Sequence, residues 1–338
     1  MSGPGPSFAH LLRMTDANGT FEHADRTIPR QEHGYCTDDM ARVLVVASRE
    51  PRPDPEVTAL ARTALQFLVD AQGVGGVSRN RRSSHGAWVG RPGVKDCWGR
   101  SIWGFGTAAA RSPDGITRHV ALDHFVRAAQ RRSPWPRAMA FAALGADEVL
   151  AVHPDHADAR RLLADAVDVI VGTRPSNAAW PWPEPRLTYA NAVLPDAMIA
   201  AGVALDRPAL VDDGLELLAW LLEHESFDGH MSVTPVGGAG PGDARPGFDQ
   251  QPIEVAALAD ACVRAARLSS AERWRVGLES AVAWFLGDND AGIPMWDSVS
   301  GGGYDGLRAD GPNLNQGAES TLAFIATMQH DNRRRGGQ

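Results

Sequence analysis

Carboxylates recur in this chain just where apolar stretches begin. Asp38 and Asp39 stand in Gly34-Tyr-Cys-Thr-Asp-Asp-Met-Ala-Arg, Asp96 opens Asp96-Cys-Trp-Gly-Arg-Ser, Asp249 and Glu254 lie in Phe248-Asp-Gln-Gln-Pro-Ile-Glu, and Glu319 in Asn313-Leu-Asn-Gln-Gly-Ala-Glu-Ser-Thr. Taken singly, an acid in a first helical turn compensates the helix dipole, and Thr37 reads as an N-cap. Repetition suggests more. Carboxylates that face one another repel, so one of them is held protonated. A proton donor beside an ionised base is the pair that glycosidic cleavage uses. Glu254 has a competing structural reading, since Gln251-Pro-Ile-Glu is the arrangement of a capping box with proline at the first helical position. Glu319 follows Gly317-Ala318, with Asn315 or Gln316 as the cap, which leaves room for a ligand before its carboxyl.

Other side chains could serve the same site. Arg42, Arg100 and Arg137 lie in charge-poor helices, where a guanidinium must pair with an acid on a neighbouring helix or with a ligand. Trp180-Pro-Trp-Pro-Glu184 sets Trp180, Trp182 and Glu184 on a proline-stiffened loop. Indole faces there suit a sugar ring, or else lid the core. Trp98 is a further candidate for that surface. Tyr189, Asn191, Gln250, Gln251, Asn315 and Gln316 supply the hydroxyl and amide groups that read sugar hydroxyls. His33 reads as a lone structural histidine. Asp288-Asn-Asp-Ala-Gly292 lacks the third acid and the later bidentate glutamate of a calcium loop, so no metal is expected. Gly301-Gly-Gly-Tyr-Asp-Gly306 precedes no lysine and follows no strand, so no nucleotide cofactor is expected either.

The elements that must position these groups are helices. Apolar periodicity of the helical type predicts an all-α fold, with segments over 38–49, 56–72, 97–111, 117–131, 135–152, 155–171, 189–205, 208–224, 252–267, 271–286 and 316–330, and a short helix over 8–14. Alternate members differ. One set carries an apolar stripe opposite a charged face, as outer helices do. The other set has few charges, many Ala and Gly residues, and a polar cluster at its start. The six polar starts recur about 40 to 65 residues apart, the mark of stacked helical hairpins. Six inner helices predict a closed ring, with every start on one face and the long loops 73–95, 172–186, 226–248 and 287–312 gathered there.

The chain has 338 residues, 43% hydrophobic and 22% charged, with a formal charge of -8. That composition excludes disorder as the main state, and the acidic balance argues against a nucleic-acid partner. Three scattered cysteines encode neither a disulfide framework nor a zinc site. No apolar run reaches a membrane span, and Gly and Pro interrupt the N-terminus where a signal peptide needs an apolar run. A cytoplasmic protein without a membrane partner is expected, built as a single domain over 1–332 with a disordered basic tail over 333–338.

These motifs, together with Pro136-Arg137-Ala138, Leu187-Thr-Tyr-Ala-Asn-Ala and Trp284-Phe-Leu-Gly-Asp-Asn289, span nearly the whole chain. The sequence resembles the six-hairpin, (α/α)6-toroid glycosidase-like proteins, within them a bacterial branch associated with glycosyltransferases. The resemblance implies the toroid, a carbohydrate substrate and, in related branches, inverting acid/base chemistry by two carboxylates. A glycosyltransferase partner is implied as well. No catalytic pair transfers from the family, and Met40 stands where a polar residue such as Asn is the family's pattern.

Ring order selects the pair. In a closed ring the sixth inner helix neighbours both the fifth and the first, so Glu319, Asp38, Asp39, Asp96 and Asp249 occupy one arc. Helices packed about 8–10 Å apart allow carboxylates to stand the roughly 6.5–9.5 Å apart that inverting chemistry uses. Asp39 and Glu319 are the expected catalytic pair, with Asp38, Asp249 and Asp96 in reserve and the acid and base roles open. The expected reaction is hydrolysis or phosphorolysis of an oligosaccharide. The alternatives are a non-catalytic glycan-binding partner of a glycosyltransferase and a sugar epimerase on the same toroid. The epimerase would want paired histidines at inner-helix starts, and none stands there.

Overall fold

The computed structural model describes residues 5–172 and 179–336. Part of the loop predicted over 172–186, the last two residues of the predicted tail and the first four residues of the chain lie outside them. The described residues form α1 (Ala9–Arg13), α2 (Thr37–Arg49), α3 (Pro55–Ala71), α4 (Asp96–Arg111), α5 (Gly115–Ala128), α6 (Pro136–Val152), α7 (Ala157–Val171), α8 (Val193–Ala204), α9 (Pro208–His224), α10 (Pro252–Leu268), α11 (Glu272–Phe285) and α12 (Ala318–Gly336). Strands are confined to pieces of two or three residues in the connecting loops.

Each even-numbered helix packs against the next, and α12 closes on α2. These six are the inner helices. The odd-numbered helices from α3 to α11 lie outside them, and α1, wedged against α3 and α12, fills the remaining outer position. Small residues let the inner ring draw tight. A Cβ on Gly99 would stand 2.1 Å from the Ala138 carbonyl, and one on Gly106 the same distance from that of Gly145. Alanine at those positions would push α4 off α6. Outer helices begin on side-chain caps where the sequence provides them: Asp54 accepts from the Val57 amide at 2.8 Å, and Asp114 from the Ile116 amide at 3.2 Å.

Two segments depart from the periodicity. The predicted helix from Tyr189 starts only at Val193, because Ala190 is left-handed at φ 45° and the buried Glu254 carboxylate captures the amides of Ala190 and Asn191. At the other end α12 runs on through Arg333 and Arg334, where a disordered tail was expected. Arg333 donates to the Arg49 carbonyl at 2.6 Å and Arg334 pairs with Glu279.

The inner helices also carry charge away from the cavity, beyond what the pattern of polar starts suggests. There Arg49 meets Asp260 at 3.0 Å, His330 contacts the same carboxylate, and Arg264 bridges Asp196 at 2.5 Å and Asp147 at 2.7 Å. This ion-pair layer plugs the bottom of the ring. An apolar axial space of about 40 Å³, walled by Val45, Trp103, Phe141, Ile253 and Leu322 among others, separates the plug from the top.

Candidate active site

A cavity of about 660 Å³ opens at the N-terminal ends of the inner helices. Its walls include Asp38, Asp39 and Arg42 from α2, Asp96 and Arg100 from α4, Tyr189 ahead of α8, Asp249 and Gln251 ahead of α10, and Glu319 from α12. Five of the six polar starts therefore meet in one space. The start of α6 contributes none of the lining.

Arg42 forms the floor. Its guanidinium donates to Asp39 at 2.6 Å and pairs with Glu319 at 2.6 Å, joining the first inner helix to the last. Asp39 is buried, whereas the Glu319 side chain is 44% exposed to the cavity. Burial pushes the Asp39 carboxyl up to about 7 against the pull of Arg42. Glu319 goes the other way: the neighbouring Arg42 and Arg100 overcome its desolvation and hold it below the usual carboxylate range. The two acids are thus displaced in opposite directions, one toward keeping its proton and one toward losing it.

Asp38 faces buried Arg100 at 3.5 Å, and its carboxyl is raised by burial despite that partner. The Arg100 guanidinium also lies 4.0 Å from the Phe141 ring centroid. Asp249 is raised by burial as well, with Arg308 at 3.7 Å, and Gly306 leaves the space its carboxylate fills, since a Cβ there would stand 2.2 Å from Oδ1. Asp96 accepts a 2.5 Å hydrogen bond from the Tyr189 hydroxyl.

Several residues expected at the site belong elsewhere. Trp98 is fully buried, its indole donating to the Ala128 carbonyl at 3.3 Å. Trp180 and Trp182 are buried too, packed on Trp220 of α9, so the proline-stiffened loop lids the core and offers no indole face to the cavity. Arg137 is consumed in structure. It grips Glu184 at 2.5 and 2.6 Å, the Tyr189 carbonyl at 2.6 Å and Asn191 at 3.0 Å. Asn191 itself is buried on Glu254 at 2.9 Å. Gln250 is buried between Asp290 at 2.5 Å and the Trp284 indole at 3.2 Å, and Gln316 between Ser300 at 2.6 Å and Asp297 at 3.1 Å. Asn315 accepts from the Arg26 amide at 3.0 Å. Arg137, Asn191, Gln250 and Gln316 are used up in these bonds and have nothing left to offer a ligand.

Other lining residues escaped the sequence reading. Glu22 and His23 arrive on the N-terminal hairpin, Arg81 on the loop after α3, and Asp305 on the loop before α12. His23 stands edge-on to His33 with centroids 5.0 Å apart, and burial lowers its pKa. Lys95 also lines the cavity. It is the sole lysine of the chain, a compositional signal that could have been noticed.

Charge in the cavity is lopsided. Glu22, Asp38, Asp39, Asp96, Asp249, Asp305 and Glu319 face Arg42, Arg81, Lys95 and Arg100. Glu22, Cys36 and Asp39 each bring one ligand-type atom within 4.8 Å of the others. Arg81 already pairs with Glu22 and Arg42 with Asp39, while burial pushes the Cys36 thiol well up. A cation there would have to displace two guanidinium groups and a proton, so this trio suits an ion-pair network better than a metal. The three cysteines are free and buried. No helix among the described residues is long and apolar enough to cross a membrane.

No protein family's sequence model matches this chain, and no curated protein matches it. Solved structures do. A sugar epimerase from a ruminal bacterium superposes with a TM-score of 0.72 at 12% identity, covering 96% of this chain and 95% of its own. Cellobiose 2-epimerase from Bacillus thermoamylovorans B4167 gives 0.73 at 11% identity, with 97% and 96% covered. The glycoside hydrolase family 9 endoglucanase J30 gives 0.61 at 13% identity, covering 93% of this chain and 74% of its own. At such low identity the shared feature is the architecture: this chain folds as an (α/α)6 toroid.

Proposed function

We propose that this protein is a sugar-processing enzyme, an inverting glycoside hydrolase acting on a neutral oligosaccharide. The observation that carries the reading is the Asp39–Arg42–Glu319 bridge, which holds two carboxyls with opposite proton affinities in one cavity. One guanidinium joins the two carboxyls, and inverting chemistry calls for roughly 6.5–9.5 Å between such a pair to admit the attacking water. Asp39, protonated, supplies the leaving-group oxygen with a proton. Glu319, ionised and exposed to the cavity, takes a proton from the attacking water. Asp38, Asp96 and Asp249 line the same cavity and remain the reserves.

Hydrolysis is favoured over phosphorolysis because the lining carries more carboxylates than cations, and Arg42, the cation between the pair, is already engaged. A phosphate dianion would enter against that field. The substrate is neutral on the same ground.

An epimerase is the second reading, favoured by one observation: His23, a neutral histidine, reaches the cavity from outside the inner ring. The named epimerases among the similar structures support keeping it. A glycan-binding role beside a glycosyltransferase is the third reading, supported by the sequence resemblance alone.

Incubating the purified protein with a panel of neutral oligosaccharides, with and without phosphate, separates these. Hydrolysis gives free sugars irrespective of phosphate, and proton NMR of the first product reports the inverted anomer. A product of unchanged mass with a new ring configuration would establish the epimerase instead. Glycan binding without any turnover would leave the binding partner.

A further inference from the structure

The cavity is missing one of its six sides, and a single hydrogen bond joins the two sides that flank the gap. Around the ring α6 stands between α4 and α8. The Tyr189 hydroxyl, ahead of α8, reaches past the start of α6 to Asp96, which opens α4, at 2.5 Å. Beneath this crossbar lies Arg137 of α6, its guanidinium 4.9 Å from the Tyr189 ring centroid. Trp135, the residue immediately ahead of α6, is 57% exposed and outside the cavity lining.

The bar is held from three sides. Arg137 binds the Tyr189 carbonyl at 2.6 Å. Glu254 of α10 accepts from the amides of Ala190 and of Asn191, the latter at 3.0 Å, and so fixes the left-handed turn that aims Tyr189. Asn191 ties the two anchors together, accepting from Arg137 at 3.0 Å and donating to Glu254 at 2.9 Å. A side chain pinned this way has its rotamer settled before any ligand arrives.

We propose that the Tyr189–Asp96 crossbar is a specificity element: it ends the glycan-binding space at α6, so the enzyme takes short oligosaccharides or chain ends and excludes chains that run on toward Trp135. A cavity of about 660 Å³ suits a short glycan. Without the bar, the space becomes a groove continuous with an exposed indole, a surface on which further sugar rings stack. This inference rests on the sugar-processing reading above.

The test compares the wild-type protein with Tyr189→Phe, which removes the hydroxyl, and Tyr189→Ala, which removes the whole bar. Binding and turnover are measured on cello-, manno- and malto-oligosaccharides of two to six residues. Wild type should favour the shortest members or release only terminal units. Tyr189→Ala should raise the six-residue to two-residue preference at least tenfold, with Tyr189→Phe in between. Absorbance titration of the three tyrosines in wild type and Asp96→Asn checks the bond itself, since Tyr189 should titrate at lower pH once Asp96 is neutral. Mid-chain cleavage by wild type, an unchanged length preference in Tyr189→Ala, or an unmoved tyrosine titration overturns the crossbar. Length-dependent binding without turnover overturns only the hydrolase reading, and failure of every variant to bind any of these glycans overturns both.

Discussion

Glu319, on the last inner helix, is bound at 2.6 Å by Arg42, on the first. This contact closes the ring chemically where α12 meets α2, and it brings the half-exposed carboxylate into the same cluster as buried Asp39.

If Glu319 is the base, Glu319→Gln keeps the shape and removes the proton acceptor. Turnover should fall at least about 10²-fold, within the usual contribution of a general acid or base. A folded Glu319→Gln protein that keeps near-full activity on the glycan found by screening would make the residue a structural partner of Arg42.

Removing Arg42 should be costlier for the fold than for any single ligand contact. Arg42→Met takes from Glu319 and Asp39 the guanidinium that joins them and leaves the ionised Glu319 without its nearest cation, and breaking a buried pair from one side costs about 3–5 kcal/mol. Urea denaturation at neutral pH measures this. Because protonation relieves an unpaired acid, the loss should shrink toward pH 5; a deficit independent of pH would point to lost packing instead.

The pH–rate profile follows from the two displaced acids. Burial raises Asp39 to about 7, so a donor role makes kcat/KM fall tenfold per pH unit above that point. Glu319 is held below the ordinary carboxylate range, so the rate should hold through weakly acidic pH. A profile flat to pH 9 would remove Asp39 from the donor role.

A second buried pair lies under the site. Burial pushes both Glu225 and Glu254 up, and the neighbouring Glu225 raises Glu254 further. Glu254 accepts three N–H donors from Ala190 and Asn191, whereas Glu225 accepts from Thr234 and leaves Oε2 without a partner. The proton of the pair therefore sits on Glu225. A carboxyl with a raised folded-state pKa stabilises fully below its unfolded value, and that stability is lost as pH rises through the folded value. Wild-type melting temperature should accordingly decline as pH rises from about 4.5 to about 7 and level off above that, and Glu225→Gln should flatten the decline. Glu254→Gln turns an amide N–H₂ toward backbone donors and should cost about 1–3 kcal/mol at neutral pH. Equal effects of the two substitutions would refute this proton placement.

The buried indoles offer a simpler check. Trp182→Ala should destabilise by about 3–5 kcal/mol, the usual cost of emptying a large core site. Trp182→Phe should fold and bind glycan as the wild type does. A selective loss of glycan affinity in Trp182→Phe would return this loop to the binding surface.

The sequence by itself determined the helices, their inner and outer roles and the face on which the polar starts gather. Those features repeat along the chain: apolar stripes recur at helical spacing, charges thin out in alternate helices, and Asp38, Asp96, Asp249 and Glu319 each stand at a start. What each polar side chain does at its start was decided only by the tertiary structure. Arg42 and Arg137 look alike in sequence, yet one spans two cavity carboxylates and the other is spent on Glu184, Tyr189 and Asn191. Trp180 and Trp182 look like a sugar platform, yet Trp220 of α9 stands where they can pack on it. Apart from Asp39, three residues from Arg42, these partners lie about 40 to 280 residues away along the chain, and no local spacing encodes them. Three-dimensional neighbourhood settles which polar groups are used up in holding the fold and which are left for a ligand.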